Sequence, residues 1–406
     1  MKVVHISTYD NGGAGNAALR LHLGLLEIGA DSTFLCLRKS TTCKNVVEFT
    51  QKPRALKSTF VRTPFNAVGL PIDKGNRNIK KLSALRGVYE VFTFPDSNAD
   101  ILTHPAVKNA DIIHLHWVAR YLDYPSFFNK NKKPVVWTLH DMNPIQGGFH
   151  YYGDVVRNKK IFELLENKLK KQKTALIKHC KKLTVVAPSQ WLHQLAKQYD
   201  GFQHAHHFHI AYGIDTNLFK DYGRDAARTV LGLPKDKVLI SFVSADIHNY
   251  RKGFDLLYNA ITKCGELNDV IFCAAGAMPD SSAEGNFFYL GSIKDERLMA
   301  ILYAASDGYV LPSREDNLPN VMLESMSCGT PVLSFATGGM TDLIQPGFNG
   351  ELSADISSNA LADSLKLFIE NIKEYNRSDI RSFIVDNYNL SLQANKYMEV
   401  YSHAQN

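Results

Sequence analysis

Short apolar runs alternate along the chain with longer stretches whose apolar residues recur every three or four positions. KVVHIST, STFLCL, DIIHLHW, PVVWTLH and LTVVAPS are runs rich in β-branched and aromatic residues. They are apolar nearly throughout, the pattern of strands buried on both faces of a parallel sheet. Between the first two, AALRLHLGLLEIGA places Leu19, Leu23 and Leu26 at helical spacing. The alternation restarts after residue 220 with VLISFVS, VIFCAAG, FFYLG, GYVLPS and PVLSFAT. The spacing predicts helices over 253–264, 295–306 and 319–328, the second burying Leu298, Ile301, Leu302 and Ala305 on one stripe. Two such blocks predict an α/β protein of two doubly wound, Rossmann-like units facing each other. The junction is expected near 212–221, giving a first unit over 1–215 and a second over 216–387.

A chain of 406 residues is too long for one ordinary core, which agrees with two units. No apolar run approaches the ~20 residues needed to cross a bilayer. The first strand leads straight into a glycine turn and is not expected to be a secretory leader. Six cysteines are present and none forms a Cys-x-x-Cys pair, so a reducing, cytoplasmic setting is expected.

The net charge of +6 hides a division. Residues 1–220 hold 31 Lys and Arg against 16 Asp and Glu, while the remainder holds 15 against 24. Residues 51–86 contain nine basic residues and one acid, and 157–182, expected as one long helix, contain ten and two. An acidic partner for the first unit is implied. Anionic lipid head groups around a lipid-diphosphate-linked acceptor are one reading, and a solvated basic face is the other. Nucleic acid is not expected, because no recognition module or aromatic stacking pattern accompanies the charge.

Ligands of open α/β sheets bind at the carboxyl ends of strands, so the strand-to-helix turns are where chemistry is sought. The richest is LPSREDNLPNVMLESMSCGTPVLS over 311–334. Here a strand ends, a loop carries Glu315 and Asp316, and Pro319 opens a helix bearing Asn320 and Glu324. Proline suits a first helical turn, and the free N–H groups there suit a diphosphate. Arg251 and Lys252 precede a helix opened by Gly253, where a cation can balance a leaving phosphate. The turn over 11–15 offers Gly12 and Gly13, where backbone can approach a ligand closely. His140 in TLHD and His114 and His116 in HLHW end neighbouring strands.

These segments resemble the retaining family 4 glycosyltransferases of GT-B fold, whose signature is an acid, seven residues and then Glu, followed by Gly-Thr-Pro-Val. HLHW, TLHD and GGFHYYGD resemble a subgroup that builds bacterial surface polysaccharides of the colanic-acid type. The resemblance implies that Glu324 holds the donor ribose and that Asp316 or Glu315 touches the transferred sugar. It implies that Lys252, with Arg251, neutralises the β-phosphate and that His140 contacts the sugar. Gly12, Gly13, Gly338 and Gly339 would present backbone N–H groups to the donor. A C-terminal helix, about 388–406, would cross back onto the first unit. Asp316 stands where the family has Glu. Asp246 stands where it often has Arg, and Met142–Gly148 departs from the subgroup's Met-Trp-x-x-Thr-Gly-Gly.

No Asp-x-Asp pair occurs, so no metal or other cofactor is expected and the donor acts as a co-substrate. A nucleotide-sugar epimerase of the same fold is a second reading. A nicotinamide-dependent oxidoreductase is a third, although GGAGNA departs from G-x-G-x-x-G and Arg38 and Lys39 follow the second strand where an acid is wanted. A sugar-binding module without catalysis is the fourth.

Overall fold

The computed structural model describes residues 1–43, 45–50, 73–277 and 287–405. Residues 51–72, most of the basic insertion, and the membrane contact expected of them lie outside the described residues.

Among the described residues, thirteen strands build two sheets, parallel throughout. The first contains β1 (Lys2–Tyr9), β2 (Asp31–Arg38), β3 (Val46–Glu48), β4 (Ile112–Leu115), β5 (Val135–Thr138), β6 (Leu183–Ala187) and β7 (His206–His209) in the order β3-β2-β1-β4-β5-β6-β7. The second contains β8 (Val238–Asp246), β9 (Val270–Ala277), β10 (Phe287–Tyr289), β11 (Gly308–Leu311), β12 (Val332–Phe335) and β13 (Gly350–Ser353) in the order β10-β9-β8-β11-β12-β13. Helices cover both faces, so β4, β5, β6, β11 and β12 are buried along their whole length. This burial is why their sequences read as continuous apolar runs.

β3, β7 and β13 were not among the expected strands. Each is a sheet edge of three or four residues, and VVE, HHFH and GELS carry too little apolar signal to stand out. Pairing to an already formed neighbour makes them strands.

The C-terminal helix Leu390–Gln405 crosses back and packs on the Gly12–Glu27 helix and the first sheet. Tyr397 OH meets Thr138 Oγ1 at 2.8 Å and Tyr401 OH meets His114 Nδ1 at 2.7 Å. Gly24 allows the close approach, since a Cβ there would stand 3.0 Å from the Leu390 carbonyl.

Of the local expectations, two need correction. Leu298 lies on the exposed side of the Glu296–Ala305 helix, at 44% exposure, whereas Leu302 and Ala305 are buried as expected, with Met299 and Tyr303 beside them. The helix is rotated so that Ala300 and Ala304 are buried with them against the neighbouring elements. The long basic helix expected over 157–182 is Lys159–Ile177, and Asn158 separates it from the short Tyr152–Arg157 helix before it. The Asn158 amide is tied to the Val88 backbone, accepting at 3.0 Å and donating at 2.9 Å, which anchors the break. The 11–15 turn is shorter than expected: Gly12, at φ +71°, already begins the helix, so Gly13 lies in its first turn.

Candidate active site

In each sheet the strand order reverses beside the first strand, between β1 and β4 and between β8 and β11. Such reversals leave a crevice at the strand ends. The turns after these strands meet between the units in a cleft of about 380 Å³. Gly12, Gly13, His140, Arg251, Lys252, Asp316 and Asn320 all line it. The structure thus brings together seven of the residues singled out in the sequence.

Asp316 organises the cations. Its Oδ2 accepts from Lys252 Nζ at 2.6 Å and from Arg251 Nη1 at 3.1 Å. Burial pushes the Asp316 carboxyl up, but Lys252 and Arg251 outweigh it and hold it below the usual carboxylate range. Burial also lowers the Lys252 ammonium, with Asp316 opposing the shift. Arg251 reaches the first unit, donating to both oxygens of Glu90 at 2.7 and 3.1 Å and lying 3.9 Å above the Tyr151 ring. Lys252 is delivered by a tight turn at Gly253, φ +70°, where any Cβ would come within 1.9 Å of the Pro312 carbonyl.

Opposite the cations, the Asn320–Ser327 helix points its amino end at the cleft. Asn320 Nδ2 donates to the Gly13 carbonyl at 2.7 Å, so the amino ends of two helices, one per unit, stand side by side. A Cβ on Gly12 or Gly13 would meet no protein atom within 4 Å. The space in front of these glycines therefore remains open for a ligand. Free N–H groups, two partial positive charges and Lys252 together make an anion site.

Four of the expected groups are engaged within the protein. The Glu315 carboxylate turns away from the cleft and takes the backbone N–H groups of Tyr152 and Gly153 at 2.8 Å each, capping a helix of the first unit. Glu324 does not line the cleft. One turn along the helix from Asn320, it is buried against Arg20 Nη2 at 2.8 Å and Tyr303 OH at 3.2 Å. Gly338 and Gly339 also lie behind the wall, where a Cβ on either would stand 1.9 Å from the carbonyl of Asp316 or Asn317. Their role is to let the Asp316 loop sit close, and the Gly339 N–H faces the Asp316 carbonyl at 3.4 Å. His140 lines the cleft with both ring nitrogens occupied, Nε2 by His116 at 3.0 Å and Nδ1 by Tyr212 OH at 2.7 Å.

Sequence reasoning overlooked several groups. Tyr212 lines the cleft and is the outer partner of His140. Asp141, next to His140, accepts from Trp117 Nε1 at 2.7 Å and meets His150 Nδ1 at 2.5 Å, and all three line the cleft. The HLHW, TLHD and GGFHYYGD segments contained that signal as recurring His and aromatic residues. Glu90 and Arg20 carried none, because what pairs them with Arg251 and Glu324 is the meeting of the two units.

Two parallel-sheet Rossmann-like units across a cleft, joined by a returning C-terminal helix, define the GT-B fold. Residues 223–382 match the family model described as "Glycosyl transferases group 1". The match covers most of the second unit, which holds Lys252, Asp316 and Glu324. A D-inositol 3-phosphate glycosyltransferase of Mycolicibacterium smegmatis is 30% identical over 154 residues, covering 34% of each chain. The chain thus spans about a third of the length of this curated relative. Solved structures are similar along nearly the entire chain. A sucrose-phosphate synthase from Thermosynechococcus elongatus superposes with a TM-score of 0.68 at 15% identity, covering 99% of both chains. Anabaena HepE in complex with UDP-glucose gives 0.64 at 18% identity, covering 99% of this chain and 100% of that one. At these identities the likeness establishes the fold.

Proposed function

We propose that this protein is a retaining glycosyltransferase. It moves a sugar from a nucleoside diphosphate donor to a saccharide or lipid-linked saccharide acceptor, in the assembly of a bacterial surface polysaccharide. The observation that carries the reading is the Lys252, Arg251 and Asp316 cluster facing two helix amino ends across one cleft. In transfer, the bond from the anomeric carbon to the phosphate oxygen breaks and a bond from that carbon to the acceptor oxygen forms. Negative charge grows on the departing phosphate, where Lys252 and the helix N–H groups stabilise it. Asp316 holds the ammonium in place before the phosphate arrives. The acceptor proton passes to the departing phosphate. Charge balance comes from side chains and backbone, so no metal is required. Glu324 meets the ribose after rearrangement of its contact with Arg20.

A thermal-shift panel tests this reading. UDP-glucose leads it, since a protein of the same fold binds that compound, and other nucleoside diphosphates and nucleotide sugars follow, with and without magnesium or manganese. One of them at 100 times its Kd raises stability by ~2.7 kcal/mol without metal. Acceptor-dependent release of free nucleotide then separates a transferase from an epimerase, whose product stays nucleotide-linked. A flat panel, or a shift only with metal present, rejects the reading.

A peripheral membrane contact is also proposed, from a specific surface. Among the described residues, no helix is long and apolar enough to cross a membrane. Tyr152, Val156, Ile161 and Leu164 nevertheless stand exposed on the two basic helices, Leu164 at 89%, among exposed Lys159, Lys160, Lys168 and Lys171. Apolar side chains set among lysines suit an anionic bilayer surface, where each basic group adds ~1 kcal/mol. Flotation with phosphatidylglycerol vesicles at low salt should carry the protein up, and Leu164→Asp should weaken binding. Equal flotation with neutral vesicles, or none with anionic ones, excludes the contact.

A further inference from the structure

Beneath the cleft, buried histidines form one hydrogen-bonded line. His5 Nδ1 meets His116 Nε2 at 2.9 Å, His116 Nδ1 meets His140 Nε2 at 3.0 Å, and His140 Nδ1 meets the Tyr212 hydroxyl at 2.7 Å. The line starts inside β1, passes the residue after β4 and the turn after β5, and ends at the cleft wall. His5, His116 and Tyr212 are buried, and His140, at the cleft wall, is partly buried. Parallel pairing sets His5 beside His114, but His114 stays outside the line, bonded to Tyr401 OH and Thr138 Oγ1. His5, His114 and His116 each bring a ring nitrogen within 4.8 Å of the others. Five of their six ring nitrogens already have hydrogen-bond partners, which marks a hydrogen-bond network.

A neutral imidazole has one N–H and one bare nitrogen. Burial holds His5, His116 and His140 well below the ordinary histidine range, His140 at about 4, so all three are neutral at pH 7. A line of N–H···N bonds between neutral rings has only two registers. With every proton on Nε2, Tyr212 must donate to His140. With every proton on Nδ1, His140 donates to Tyr212 and the phenol proton is left for a ligand. His5 Nε2 decides between them: it is buried and has no hydrogen-bond partner among the described residues. An N–H there would be a buried donor without an acceptor, whereas a bare lone pair is the lesser loss.

We propose that His5, His116 and His140 are held in the Nδ1-protonated register, which fixes Tyr212 as a hydrogen-bond donor to a ligand oxygen in the cleft. His5 Nε2 has nothing to receive a proton from or pass one to, so the line does not relay protons. It is set on folding. His5 and His116 are positioning residues that act through His140, and Tyr212 is the group that touches ligand. That the ligand is a nucleotide sugar rests on the proposed function. The tautomers do not.

The test uses the full-length protein labelled with ¹⁵N-histidine, without ligand, at pH 7.5. Long-range ¹H–¹⁵N correlation should show His5, His116 and His140 each as a single Nδ1–H tautomer. An Nε2–H on any of them, or averaging between tautomers, overturns the proposal. Tyr212→Phe removes the donor and should cut turnover about tenfold, the size of one neutral hydrogen bond, with the affinity for UDP as probe unchanged. His116→Leu should lower turnover similarly and release His140 into a mixture of tautomers. Wild-type turnover in Tyr212→Phe overturns the proposal even if His116→Leu fails to fold. A wild-type protein that binds no nucleotide rejects the proposed function instead, and leaves the spectrum to decide the tautomers.

Discussion

Replacing Lys252 with alanine should lower the proposed sugar transfer by ~10²-fold or more, the loss measured when one preorganised donor to a developing oxyanion is removed. Lys252 Nζ lies 2.6 Å from Asp316 Oδ2 on the cleft wall, so its position is fixed before substrate arrives. The variant also leaves the buried Asp316 with Arg251 as its remaining cationic partner. Because the charge on the phosphate grows during departure, kcat should fall more than donor affinity does. Single-turnover kinetics with the donor found in the thermal-shift panel measure the split. Unchanged turnover removes Lys252 from the chemistry. Loss confined to donor affinity makes it a binding group only.

Acid should unfold the first unit well above the pH at which carboxylates titrate. His5, His114 and His116 lie well below the ordinary histidine pKa, and His22 and His140 lie at about 4. Burial is the leading cause for each, with neighbouring imidazoles adding to it for His5, His114 and His116. Above pH 6.5 these rings are neutral whether the chain is folded or not. Below it the unfolded chain binds protons that the folded state refuses, so stability falls as pH falls. At pH 5 a ring held at about 4, as His22 and His140 are, forfeits about 2 kcal/mol, and the other three act in the same direction against the ~5–15 kcal/mol stability of a typical domain. Asp141 and Asp316, held below the usual carboxylate range, add their loss only at lower pH. Circular dichroism across pH 7.5 to 4 should show a steep transition near ~5. A flat signal down to pH 4.5 would mean that the rings reach water more readily than their burial indicates.

Much of this molecule was legible before its coordinates. The continuous apolar runs announced parallel sheets because burial on both faces removes alternation. Lys252, Asp316 and Asn320 could be read because each follows a central strand at the reversal point, where a local segment fixes both position and direction. What could not be read depends on residues far apart in the chain. The Glu315 carboxylate is spent on the Tyr152 and Gly153 amides, 163 and 162 positions away. Glu324 pairs with Arg20 across 304 positions. A one-dimensional motif names an acid in each case, and only the meeting of the units decides whom it serves. His140 is intermediate: its place at a strand end was visible, whereas the engagement of both its nitrogens required the residue after β4 and the Tyr212 segment together.

Part of the seam between the units beside the cleft is held by polar side chains gripping backbone. Asn320 holds the Gly13 carbonyl, Asn317 the carbonyls of Leu139 and His140, and Glu315 two amides. Water can take over each of these bonds, so this part of the seam resists parting less than the buried Arg20–Glu324 pair does.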